Sequence, residues 1–233
     1  MAVAARRYYT PAEVVVHNTP NDLWVSFLGR VLDLTSLAQE YDGTQEIKPI
    51  LAHAGKDISH WFDPRTGELK HRIHPVTGVR VPYTPHGPIP HVSLEVPNPL
   101  WRPVGVPWWV DSKYVIGFLT EKARPVRILN VLTGQECTLT ASIPLVLDWP
   151  VDDGEIKVCK EDKLSRISER FLPFNSHASS YTFKFETRVL DMNKTLEENG
   201  IPDERELFLD LGLEDNFYIP ALMIYFNDDL TEM

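Results

Sequence analysis

Tyr9-Thr-Pro-Ala-Glu-Val14, His17-Asn18, Leu23-Trp-Val25, Gly29-Arg-Val31, Asp33-Leu-Thr35 and Ala54-Gly-Lys-Asp57 are the segments that decide the fold of the first part of this 233-residue chain. Thr10-Pro-Ala-Glu13 has the form of a capping box, with Thr10 as N-cap, Pro11 at the first helical position and Glu13 reaching back. The helix it opens is short and stops near His17-Asn18. Leu23 to Leu28 reads as a strand from its aromatic and β-branched content. Gly29-Arg30 turns the chain and Val31-Leu32-Asp33 returns as a second strand. Thr35 or Ser36 is placed to cap a helix running to Glu40 or Tyr41, and Asp42-Gly43 breaks it. Two short helices follow, at about 46–52 and 57–62, separated by Gly55.

Outward from this stretch, composition sets the class. Apolar residues make up 43% and charged residues 24%, which suits a globular chain rather than a disordered or fibrous one. The formal net charge of −10 argues against nucleic-acid binding driven by phosphate contacts. No apolar run is long enough for a membrane helix, and no secretory signal is expected behind Arg6 and Arg7. Cys137 and Cys159 read as reduced thiols of a cytoplasmic compartment. Residues 1–120 carry eleven basic and eleven acidic residues, so the whole acidic excess lies in 121–233. Ten of the 19 prolines fall between Pro64 and Pro107, and six of the eight histidines between His53 and His91. The expected organisation is therefore a first domain over 1–120 with a proline-rich insertion at 64–110, then an acidic second domain over 121–233.

Within the insertion, Asp63-Pro-Arg-Thr-Gly67 and His74-Pro-Val-Thr-Gly78 read as tight turns. Trp101, Trp108 and Trp109 are unusual for a loop. They are candidate partner-binding anchors, the alternative being that they fold back onto their own domain. Zinc is not expected. His71-x-x-His74 would share a helix face only in a helix that Pro75 opposes, and no cysteine lies near His60, His71, His74, His86 or His91 to complete a structural site.

The second domain opens with a strand over 125–131, a turn at Thr133-Gly134 and a returning strand over 135–140. Leu164, Ile167, Phe171 and Leu172 fall at helical spacing, and Pro173 ends that helix. Tyr181–Phe185 alternates as a strand, 188–190 is a short one, Thr195–Gly200 is a brief helical turn, and Ala221–Phe226 is a buried final strand. This order resembles the ubiquitin-like β-grasp fold, with Val189-Leu-Asp191, Thr195-Leu and Asn199-Gly-Ile201 as the local phrase that matches. No Walker loop, dinucleotide fingerprint or nucleophile elbow is present, and no enzyme is expected.

The opening segments, together with Tyr114-Val-Ile-Gly-Phe-Leu119, resemble the cytochrome b5 haem-binding domain. The fold class implied is α+β: a cytochrome b5-like domain with an expanded proline-rich loop, then a β-grasp domain. In that family haem lies between two histidines, the first in a His-Pro-Gly-Gly motif. Here the corresponding residues are Tyr41-Asp42-Gly43-Thr44, so the resemblance implies haem b with Tyr41 as first axial ligand. A phenolate favours ferric iron. The second ligand falls in the expanded loop, where the candidate is His71, one place before Arg72, the position that the resemblance gives to histidine, with His74 as substitute. Leu34–Tyr41, Asp57–Pro64 and Tyr225–Met233 further resemble a ciliary subfamily. That likeness implies a non-enzymatic component of the motile axoneme, in a cytoplasmic setting, partnered by radial-spoke proteins. The other expectations are a haem-bearing redox sensor of ciliary beating and a soluble electron carrier. The charge-neutral first domain argues against the carrier, which needs an acidic rim to meet a basic reductase.

Overall fold

A computed structural model describes residues 6–92, 105–131, 136–139 and 157–226. The chain divides into two compact units, 1–119 and 120–233.

In the first unit, β1 (Tyr8–Tyr9), α1 (Pro11–Val16), β2 (Asn18–Thr19), β3 (Asp22–Phe27), β4 (Arg30–Asp33), α2 (Thr35–Glu40) and α3 (Lys48–Ala52) follow in order. A 3-10 turn at Ser59–Trp61 leads to the hairpin β5 (His71–Ile73) and β6 (Arg80–Pro82). A second turn at Ser112–Tyr114 leads to β7 (Val115–Leu119). The main sheet has the order β1-β7-β4-β3-β2. Strand alternation sends Leu23, Val25 and Phe27 into a core with Leu37, Ile50, Ile58 and Phe62. Trp24 points to the other face, where Tyr9, Val14 and Val31 form a smaller cluster and His17 stacks on Trp24 at 3.5 Å. Tyr9, Val14, His17, Trp24 and Val31 are thus neighbours in space.

Several local expectations hold. Both hydrogen bonds of the Thr10–Glu13 capping box form. The segment Ala54–Asp57 runs along β3. Gly55 N–H donates to the Trp24 carbonyl at 2.7 Å and Ser26 N–H to that of Lys56 at 3.1 Å, while Ser26 Oγ donates to Asp57 at 3.0 Å. Others shift. Helix α2 begins at Thr35 itself, because the Thr35 hydroxyl accepts from Leu23 N–H at 3.0 Å and so ties α2 to β3. The helix expected at 57–62 is only the 3-10 turn, because Ser59 Oγ is committed to Asp57 and to Leu28 N–H.

In the second unit, β8 (Ala123–Asn130), β9 (Glu136–Leu139), β10 (Lys157–Cys159), α4 (Leu164–Phe171), β11 (Tyr181–Phe185), β12 (Arg188–Val189), α5 (Arg205–Asp210) and β13 (Ala221–Phe226) follow. The sheet order is β10-β8-β13-β11-β12, with β9 also paired to β8. Strands β8 and β13 are parallel. Strand β10 takes β8 at Ala123–Pro125 and β9 takes it at Val126–Leu129, both antiparallel. This is a β-grasp sheet whose second strand comes in two pieces. Helix α4 buries Leu164, Ile167 and Phe171 against Val126, Ile128, Phe183, Leu222 and Ile224. The phrase around Asn199 is explained by that side chain. Its Nδ2 donates to the carbonyls of Asp191 and Thr195, and its Oδ1 accepts from Asp191 N–H. The expected turn at Thr133-Gly134 lies outside the described residues. Helix α5 has no counterpart in the sequence reading, for a physical reason: it buries none of its six residues, so it shows no apolar stripe.

Candidate functional site

Tyr41 closes α2 as its C-cap and is half-buried against the main core. Its backbone N–H donates to the Leu37 carbonyl, and its own carbonyl accepts from Thr44 N–H. The ring that faces it is that of His91, edge-on with centroids 6.0 Å apart. His91 takes a positive φ of 64°, and its Nδ1 accepts from Trp108 N–H at 3.1 Å. The contact follows from the way the insertion returns to the domain, which no spacing along the chain announces.

His71 stands elsewhere. It is exposed on β5 and lines an open cleft of roughly 740 Å³ with Asp63, Glu68, Lys70, Arg72 and Arg80. Tyr41 is not on that wall. His74 is held in its turn, where its Nδ1 accepts from the N–H groups of Val76 and Thr77 at 3.3 and 3.2 Å. In the neutral ring this leaves the proton on Nε2 and no free lone pair for iron. Among the described residues, the cleft that holds His71 therefore does not bring it together with Tyr41.

Trp108 and Trp109 correct the expectation that they are docking anchors. Trp108 is 0% and Trp109 5% exposed. Trp109 packs on Phe62 at 5.9 Å and on Trp108 at 5.5 Å, and its Nε1 donates to Glu68 at 3.4 Å. Two large aromatic side chains with a core in reach gain more by burial than by waiting for a partner. Trp101 lies outside the described residues.

A further group comes together here. His53 follows α3, His60 sits in the 3-10 turn and His86 belongs to the insertion, and each offers a ligand atom within 4.8 Å of the others. His53 was not among the histidines weighed for zinc. Separations of seven and 26 residues carry no recognisable metal signature, and the fold alone brings the three together.

A sheet carrying α1 on one face and α2 and α3 on the other, with Tyr41 at the end of α2, defines a cytochrome b5-like domain. Residues 10–73 match the family model described as cytochrome b5-like heme/steroid binding domain. Over 229 residues the chain is 49% identical to human "Cytochrome b5 domain-containing protein 1", covering 98% of this chain and 93% of the human protein. The protein of that name from Xenopus tropicalis is 44% identical over 234 residues, covering the whole of both. The mouse protein is 44% identical over 229 residues, covering 98% of this chain and 93% of its own. The chain belongs to the cytochrome b5 domain-containing protein 1 family. Those names state a domain content, not a catalysed reaction. Among the described residues, no helix is long and apolar enough to cross a membrane.

Proposed function

We propose that this protein is a non-enzymatic docking component of the motile ciliary axoneme, working beside the radial spokes. The observation that carries the docking role is the apolar exposure of the α5 region in the second unit. Leu207, Leu209, Leu211 and Phe217 are between 55% and 67% exposed, and the exposed acids Glu206, Asp210, Glu214 and Asp215 surround them in sequence. Scattered apolar exposure is ordinary, but four large apolar side chains this exposed within eleven residues suit an interaction surface. The acidic surround suits a partner that presents an apolar groove with a basic rim. The ciliary address rests on the sequence likeness to the ciliary subfamily. The test is to express the full chain and a Leu207→Ser/Leu211→Ser variant in ciliated cells and extract the cilia with detergent. The wild type is expected to stay with the axoneme and the variant to be released. Equal retention of both would remove this surface, and release of both would remove the axonemal role.

A haem-linked redox sensor is the second reading, favoured by the haem named in the family description of residues 10–73 and by a phenol at the end of α2. It requires the insertion to vacate the side of Tyr41 that His91 now faces. Titration of the full chain with haem distinguishes the readings. A saturable Soret band that shifts on dithionite reduction and is reshaped by Tyr41→Phe would establish the sensor. The docking reading expects no saturable band.

A further inference from the structure

We infer that His53, His60 and His86 form a binding site for one zinc-type divalent cation, which fastens the inserted segment to the first unit. The three imidazoles come from three separate pieces of chain, and their ligand atoms lie within 4.8 Å of one another. Ring centroids are 4.6 Å apart for His53 and His86, 6.0 Å for His53 and His60, and 6.4 Å for His60 and His86. The cluster contains histidine only. Three imidazole nitrogens gathered this closely are a donor set that a single cation can take up.

His53 is already oriented for the task. Its Nδ1 lies 2.8 Å from the Pro49 carbonyl. A carbonyl oxygen only accepts, so Nδ1 carries the proton and Nε2 keeps its lone pair. Metal-bound histidines are commonly fixed by this arrangement of the second ring nitrogen. His60 and His86 are exposed and have room to turn. Zinc–nitrogen bonds of about 2.0–2.1 Å at tetrahedral angles bring nitrogens to roughly 3.4 Å apart. The two exposed rings therefore close by about an ångström on binding. Trp61 packs edge-on to His53 at 4.9 Å and lies 6.0 Å from both other rings. Its indole N–H is buried without a hydrogen-bond partner. Three imidazoles leave the fourth zinc position to an anion or water, and imidazole selects zinc, copper and nickel over magnesium and calcium.

The consequence is structural. His86 lies in the stretch that carries buried Ile89 and also His91, the ring facing Tyr41. A metal held jointly by α3, the 3-10 turn and this stretch pins the insertion over the domain. The test is titration of the full chain with Zn²⁺ alone, followed by calorimetry, with Co²⁺ as an absorbing substitute. One equivalent is expected to bind saturably, to raise the melting temperature, and to give cobalt d–d bands. Replacing His60 or His86 by Ala removes an exposed side chain and leaves the fold intact. Each change should weaken uptake by at least the 10–100-fold that loss of an outer-shell partner costs. His71→Ala and His74→Ala should leave it unchanged. Absence of saturable uptake, or uptake that survives both His60→Ala and His86→Ala, would overturn the site.

Discussion

Asp203 accepts two hydrogen bonds from the Arg205 guanidinium, at 2.8 and 2.7 Å, and a third from its backbone N–H at 3.3 Å, and lies 3.5 Å from Lys122 Nζ. The hydrogen bonds from Arg205, and the charges of Arg205 and Lys122, hold its carboxyl well below the usual carboxylate range. A carboxyl with a lowered folded pKa stabilises the fold above its ordinary value of 3.8. That contribution is lost as pH falls below it toward the lowered value. Urea unfolding between about pH 5 and about pH 2 should show this loss, and Asp203→Asn should flatten it. An identical pH dependence in the variant would remove Asp203 from the account. Gly55 is a second residue whose identity has a local cause. Its φ is +74°, and an added Cβ would sit 2.9 Å from the Val15 carbonyl oxygen. A side chain there meets both a strained backbone and a rigid neighbour. The glycine of the Ala54-Gly-Lys-Asp57 segment was legible because this constraint admits one residue type. Tyr41 was legible as the residue at the end of α2, but its neighbour His91 was not, since 50 positions separate them along the chain.

At the scale of elements, the insertion decides the character of the first unit. Its two turns were readable from Asp63-Pro-Arg-Thr-Gly67 and His74-Pro-Val-Thr-Gly78, which bend the chain through their own side chains. Asp63 Oδ1 accepts from Arg65 N–H at 2.9 Å, and the second turn joins β5 to β6 in register. The destination of Trp108 and Trp109 was not readable. A tryptophan in an irregular segment has no periodicity to say which way it faces. Trp108→Ala is expected to cost about 3–5 kcal/mol of stability, the range for emptying a large buried aromatic site. Denaturant unfolding followed by circular dichroism is the measurement. An unchanged midpoint, with loss of axonemal retention, would return Trp108 to the surface role. In the second unit, Arg170 Nε meets Asp162 at 2.8 Å, and both side chains are nearly inaccessible. Asp162 also accepts from Cys159 N–H at 3.1 Å, which joins α4 to β10. Burial raises the Asp162 carboxyl and the Arg170 charge opposes that. Such a pair fixes geometry more surely than it adds stability.

Across the whole molecule, two units each build their own core, and the charge difference between the halves follows them. The acidic excess of 121–233 belongs to the unit whose α5 region leaves leucines in solvent, the two features on which the proposed docking role rests. The sequence by itself determined the elements with strong local codes. These are the capping box at Thr10, the strands rich in aromatic and β-branched residues, the amphipathic helix α4 and the turn around Asn199. It also determined membership of the α+β class through the family likeness. Only the tertiary structure decided which histidine faces Tyr41, that Trp108 and Trp109 are core, that α5 stands exposed, and that His53, His60 and His86 meet. The physical reason is one of range. Caps, turns and periodicity act within a few residues and are written in neighbouring letters. Contacts such as Tyr41 with His91, or His53 with His86, depend on how distant segments share the same buried volume, and only the packed fold sets that.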